Sequence, residues 1–165
     1  MSNDVQYKLT LPVSAEKVYK AVATEEGVRD WWTKFADVGT KVGDLAEFRF
    51  PHAGFYAEAK IQSLIPNKLV EWNVIDSMHP EQTGFLNLRD WVGTTIKFEI
   101  ESKAEEESVL HFTHIGLSEK LECFEACERG WSSYLSSLEQ LLVRGVGKPY
   151  TDDSTNNIKK LQNKK

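Results

Sequence analysis

Residues 117–144 carry an apolar stripe at helical spacing, and that stripe limits what the rest of the chain can become. Leu117, Leu121, Phe124, Cys127, Trp131, Tyr134, Leu138 and Leu141 recur three or four positions apart, and Leu135 and Leu142 widen the stripe. This is the period of a core-facing helix. It predicts one helix over 117–144, on the order of 40 Å long at about 1.5 Å per residue. Ser118, Lys120 and Glu122 suit a solvated first turn, and Gly145, Gly147 and Pro149 supply the stop. A stripe of that length needs an equally long apolar surface to cover it.

The preceding segments have the period of strands. Residues 5–11 alternate, with Val5, Tyr7, Leu9 and Leu11 on one side, and Pro12 ends the run. Ser14 is placed to cap a short helix whose apolar face is Ala15, Val18, Tyr19 and Val22. Thr24 is placed to cap a second, which runs to Trp31-Trp32. A weak strand is expected at 37–41. Clear alternation follows at 45–50, 55–65, 69–75, 91–101 and 109–114, and Pro66-Asn67 make the middle pair a hairpin. The stretch 77–90 breaks the pattern and is long for a connection, which marks it as a functional or mobile loop. The tally predicts an α+β helix-grip fold: a curved antiparallel sheet of about six or seven strands wrapped on the long C-terminal helix, with two short helices after the first strand. One domain is expected over 1–147, followed by a polar, basic, disordered tail over 148–165.

Charge narrows the partners. The chain of 165 residues has a formal net charge of −5. The segment 148–165 holds five Lys and two Asp, so the body carries −8. An acidic body offers no surface for nucleic acid and no attraction to anionic lipid. The start lacks a basic region followed by an apolar run, and no apolar stretch reaches spanning length. The expectation is a cytoplasmic protein, monomer or homodimer, with no membrane partner. Cys123 and Cys127, four apart on the expected helix, read as reduced core thiols, because a regular helix does not offer disulfide geometry. Their sequence neighbours add only Glu residues, so neither a metal nor a cofactor is expected.

Catalytic motifs are scarce. There is no glycine-rich phosphate loop, nucleophile elbow, Cys-x-x-Cys pair or His-Glu-x-x-His helix, and no catalytic residue is assigned. His111 and His114 lie three apart on a strand, so they face opposite sides and cannot share a metal. His111 is expected in solvent and His114 inside. Gly130 weakens its helix. Two readings follow: a backbone packed close to a strand, which is favoured, or room for a ligand.

Several stretches, in order, resemble a known family. They are Val13-Ser-Ala-Glu-Lys-Val-Tyr-Lys-Ala-Val, Trp31-Trp-Thr, Lys68-Leu-Val-Glu-Trp, Thr113-His-Ile-Gly-Leu and Gly130-Trp-Ser-Ser-Tyr-Leu-Ser-Ser-Leu. Together they resemble the START-like, helix-grip (SRPBCC) superfamily over residues 7–144. Within it, they are most similar to single domains like the C-terminal domain of the activator of the 90-kDa heat-shock protein ATPase. The chain departs from that pattern in a longer segment between Trp72 and Trp91, and in Val42-Gly43-Asp44 where a Gly-Gly is frequent.

The resemblance implies the fold and a cavity between sheet and C-terminal helix. The expected function is non-enzymatic binding of a small apolar or amphipathic ligand there. Candidate wall residues from the first half of the chain are Trp32, Phe48, Phe50, Ala57 and Trp72. Those from the second half are Phe98, Phe112, His114, Phe124, Trp131 and Tyr134. One alternative is a polyketide cyclase or hydrolase-like enzyme in the same cavity, with His114 as general base and Tyr134 or Glu128 as donor. Another is a co-chaperone-type interaction module that meets its partner through the tail and the 77–90 loop.

Overall fold

Alternation becomes one seven-stranded sheet. A computed structural model describes residues 4–118 and 120–151. Its elements are β1 (Val5–Leu11), α1 (Ala15–Ala23), α2 (Glu25–Trp31), β2 (Phe35–Val38), β3 (Leu45–Phe50), β4 (Phe55–Ile65) and β5 (Leu69–Met78). β6 (Thr95–Ala104), β7 (Glu107–Ile115) and α3 (Phe124–Arg144) complete the chain. All neighbours are antiparallel, in the order β1-β7-β6-β5-β4-β3-β2. Register slips between Glu58 and Ala59 and between Ile61 and Ser63 bend the β4–β5 hairpin, because a bulge sharpens local twist. The concave side carries the inward residues of every strand, among them Phe48, Trp72, Ile96, Phe98, Leu110 and Phe112, all buried.

The helices close this side. Ser14 Oγ accepts from the Lys17 N–H at 3.2 Å, and Thr24 Oγ1 from the Gly27 N–H at 3.0 Å, so each hydroxyl satisfies a donor its helix leaves open. Trp31 and Trp32 are both buried core residues. Trp31 Nε1 donates to the Ala21 carbonyl, and Trp32 stacks on Trp72 at 6.1 Å. The centre of the α3 face is Trp131, Leu135, Leu138 and Leu142, all buried, whereas Cys127, Tyr134 and Leu141 lie at its half-buried edge. Gly145 ends α3 in the left-handed conformation (φ 87°), with its N–H on the Leu141 carbonyl at 2.9 Å.

Four boundaries differ from the sequence reading. The terminal helix begins at Phe124, not at 117. At about 1.5 Å per residue its 21 residues span about 32 Å. Leu117 is buried without being helical: Gly116 turns the chain at φ 95°, and the Leu117 carbonyl accepts from the Val5 N–H at 3.1 Å. Glu122 is also engaged, its carboxylate accepting the Leu86 and Asn87 N–H groups at 2.9 and 3.0 Å. The weak strand lies at Phe35–Val38 rather than 37–41, β5 runs on to Met78, and β6 starts at Thr95, leaving Trp91 in a turn.

The expected tail falls mostly on residues outside those described. Its first residues pack back on the domain: the Tyr150 N–H donates to the Trp32 carbonyl at 2.9 Å, and the Tyr150 hydroxyl accepts the His52 N–H at 2.7 Å. Among the described residues no helix is long and apolar enough to cross a membrane.

Candidate functional site

The first half of α3 meets the β3–β4 hairpin through Tyr134 and Phe50, whose rings lie 6.0 Å apart, and leaves space beside that contact. The space is a pocket of about 350 Å³. α3 contributes Cys127, Gly130, Trp131 and Tyr134; the sheet side contributes Phe50 and Phe55; Trp32 closes the base. The connection after β5 supplies His79, Phe85 and Trp91. Rings form most of this wall. Phe55 meets Trp91 edge-on at 5.0 Å, and Trp91 stacks on Trp131 at 6.0 Å. His79 lies between Phe55 and Phe85, at 5.0 and 5.3 Å.

Gly130 explains why there is room. A Cβ built on it would meet nothing within 4 Å. The favoured reading, a backbone pressed against a strand, is therefore corrected, and the space at this turn of α3 is open. Tyr134 brings a hydroxyl to the wall; burial, with Tyr150 close by, pushes its pKa up to about 12, so the phenol stays protonated.

The sequence candidates separate into two layers. Trp32, Phe50, Trp131 and Tyr134 line the pocket. Phe48, Ala57, Trp72, Phe98 and Phe112 are buried in the aromatic core beneath it, where Trp72 packs on Phe48 at 4.9 Å and Phe98 on Phe112 at 5.2 Å. Phe124 is half-buried at the start of α3 and packs on the core without lining the pocket.

His114 is fully buried, with a different role from the general base considered for it. Trp131 Nε1 donates to His114 Nδ1 at 3.0 Å, which places the proton on Nε2. That Nε2–H donates to Thr94 Oγ1 at 2.8 Å, and Thr94 in turn donates to the Trp91 carbonyl at 2.6 Å. Burial holds the ring pKa down at about 3, against the opposing pull of Asp4 and Asp90. With both nitrogens engaged, the ring ties α3 to β7 and to the turn before β6. Neither expected donor reaches it: Tyr134 is on the pocket wall, and Glu128 is exposed, its backbone carbonyl accepting from the Tyr7 hydroxyl at 3.2 Å. His111 is half-exposed beside Glu101, 3.5 Å away.

The connection after β5 supplies what sequence reasoning missed. His79 is buried, and its Nε2 lies 2.9 Å from Asp90 Oδ1. Burial opposes a charge on His79, but the Asp90 hydrogen bond and the neighbouring Cys123 outweigh it and raise its pKa to about 9. Against the desolvation of the carboxyl, the same pairing and hydrogen bonds from the Cys123 thiol and N–H hold Asp90 below its usual range. Trp91 Nε1 points at Cys127 Sγ, 3.3 Å away. Only the positions of Phe55 and Trp91 in apolar alternation had hinted at these contributions; His79 sits in a stretch with no period.

Comparison with known proteins agrees with this architecture. The family model described as Activator of Hsp90 ATPase homolog 1-like protein matches residues 12–143. The chain belongs to that family. Among solved structures it is similar to the Aha1 dimer of Colwellia psychrerythraea, with 31% identity and a TM-score of 0.68 over 84% of this chain and 95% of that one. It shares its fold with SSP2350 from Staphylococcus saprophyticus, at 18% identity and TM-score 0.66 over 90% of this chain and 99% of that one. The same holds for MLL2253 from Mesorhizobium loti, at 18% identity and TM-score 0.68 over 84% and 96%. No curated protein matches the chain. This Aha1-type domain is thus START-like, with the helix-grip arrangement of sheet and terminal helix.

Proposed function

We propose that this domain binds one small apolar or amphipathic molecule in the pocket between α3 and the β3–β4 hairpin. The observation that supports this most directly is Gly130: at a helix position where Ala would be more stable, the chain leaves a wall with nothing opposite it. The pocket volume of about 350 Å³ is at the lower end of the range for small-molecule sites, ~300–1,000 Å³. Its ring-rich wall suits an apolar body, and the Tyr134 hydroxyl offers one polar contact at the edge.

The test is a titration of the protein with fatty acids, isoprenoids and polycyclic aromatics, read by tryptophan fluorescence and native mass spectrometry. Trp32, Trp91 and Trp131 line the pocket and report on its occupancy. One equivalent is expected to bind, and Gly130→Leu to weaken that binding at least tenfold by filling the space. Equal binding by Gly130→Leu, or no binding by the wild type across the panel, refutes the proposal.

A further inference from the structure

Beside the pocket lies a polar cluster that apolar binding does not use. His79, Cys123 and Cys127 each place a ligand-type atom within 4.8 Å of the others. The chain builds this from two distant stretches. Cys123 is the N-cap of α3 and Cys127 sits one turn on, its N–H on the Cys123 carbonyl at 2.8 Å, so both thiols face the same side. His79 is delivered by the connection after β5, where its N–H donates to the Leu88 carbonyl at 2.7 Å.

A second observation concerns Asp90. Its side chain is 2% exposed. Oδ1 is bonded to His79 Nε2, while Oδ2 is buried outside that bond, and the Cys123 thiol and N–H are the other groups that stabilise the carboxylate. A carboxylate this deeply buried is costly, and positive charge on the His79 side stabilises it. The order carboxylate, imidazole, thiolates is that of a metal centre in which an acidic group fixes the ring that binds the ion. With Nε2 held by Asp90, Nδ1 is the nitrogen left for a metal.

We propose that His79, Cys123 and Cys127 bind a divalent transition metal of the zinc class, with Asp90 as the positioning residue for His79. Two sulfurs and one nitrogen favour a borderline-soft, tetrahedral ion over magnesium or calcium, which prefer oxygen. In such a site, sulfurs about 2.3 Å from the metal lie roughly 3.8 Å apart, a spacing compatible with the 4.8 Å that bounds the cluster. Each thiol releases its proton to solvent as its sulfur binds, and the His79 imidazolium likewise releases its Nδ1 proton to solvent, keeping the Nε2–H on Asp90. His79 and Cys127 also line the pocket, so the fourth position opens towards it. That orientation matters only if the pocket takes a ligand; metal uptake does not depend on it.

The test uses the full chain, reduced and stripped of metal, with circular dichroism to establish that it is folded. Cobalt(II) is titrated in, followed by zinc. The expected result is one cobalt per chain, a thiolate-to-cobalt charge-transfer band, and displacement by one equivalent of zinc. Cys123→Ser and Cys127→Ser should each lose the band, and Asp90→Asn should weaken affinity about 10–100-fold while keeping it. No band in the folded wild type overturns the site, as does a band that survives both serine variants. The wild-type spectrum decides even if a variant fails to fold. No organic ligand is present, so failure here leaves the pocket reading standing, and the reverse also holds.

Discussion

Trp131→Phe separates two jobs that one side chain performs. The indole ring packs against Trp91 and Phe112, and its Nε1–H satisfies the buried His114 Nδ1 at 3.0 Å. Phenylalanine keeps a ring and removes the donor. Leaving a buried acceptor unpaired costs about 1–3 kcal/mol. The smaller ring adds a void beside a residue only 2% exposed, bringing the expected loss to about 2–4 kcal/mol. For a chain of this size that is a fall in Tm of roughly 5–15 °C. Urea denaturation at pH 7, followed by far-ultraviolet circular dichroism, reads the loss without relying on the altered tryptophan.

The acid limb gives a second reading of the same contact. The folded pKa of His114 is depressed to about 3, below the unfolded value of about 6.5. The unfolded state therefore takes the proton first. The stability this neutral ring contributes is full above pH ~6.5 and falls as the pH drops towards 3, by up to about 1.4 kcal/mol per pH unit. In Trp131→Phe the Nδ1 lone pair is released, its folded pKa rises, and the decline ends at a higher pH. An unchanged urea midpoint together with an unchanged acid limb would refute the role given to this bond.

Other outcomes follow from the same geometry. Gly130→Ala should raise stability by about 0.5–1 kcal/mol, read as a higher urea midpoint, because the new methyl meets open space and the helix gains propensity. Thr24→Ala removes the acceptor for the Gly27 N–H and should cost about 1 kcal/mol by the same assay. Glu122→Ala should abolish hydrogen-exchange protection at the Leu86 and Asn87 amides while leaving β5 protected, since one carboxylate holds both. Tyr134→Phe should leave apolar ligands bound and weaken hydroxyl- or carboxyl-bearing ones by roughly 2–10-fold, measured by calorimetric titration.

Much of the sheet was legible because a half-buried strand writes its facing into every second residue. Phe48 and Phe50, or Ile96, Phe98 and Ile100, could point only one way. The start of α3 was hidden for a matching reason. Leu117 and Leu121 continue the helical spacing by chance, but the sheet end and the packed core cover them rather than a helix face. Spacing reports that a residue is covered and is silent about what covers it. The site divides similarly. Trp131 and Tyr134 stood out on a periodic element, whereas His79 and Asp90 lie in an aperiodic stretch. There, only the folded connection brings them to Cys123 and Cys127.

The pairing of β1 with β7 has a consequence for the order in which the chain is made. Val5 lies opposite His114, and Leu11 opposite Ser108. The first strand leaves the ribosome with no partner and waits roughly one hundred residues for it, a separation that slows folding. Through that interval the apolar face of Val5, Tyr7, Leu9 and Leu11 depends on whatever else is at hand. Hairpins β3–β4 and β4–β5 can form as they emerge, while β1, α1 and α3 must assemble together at the end. A truncation before β7 should therefore leave β1 unpaired, and aggregation should begin at its apolar face.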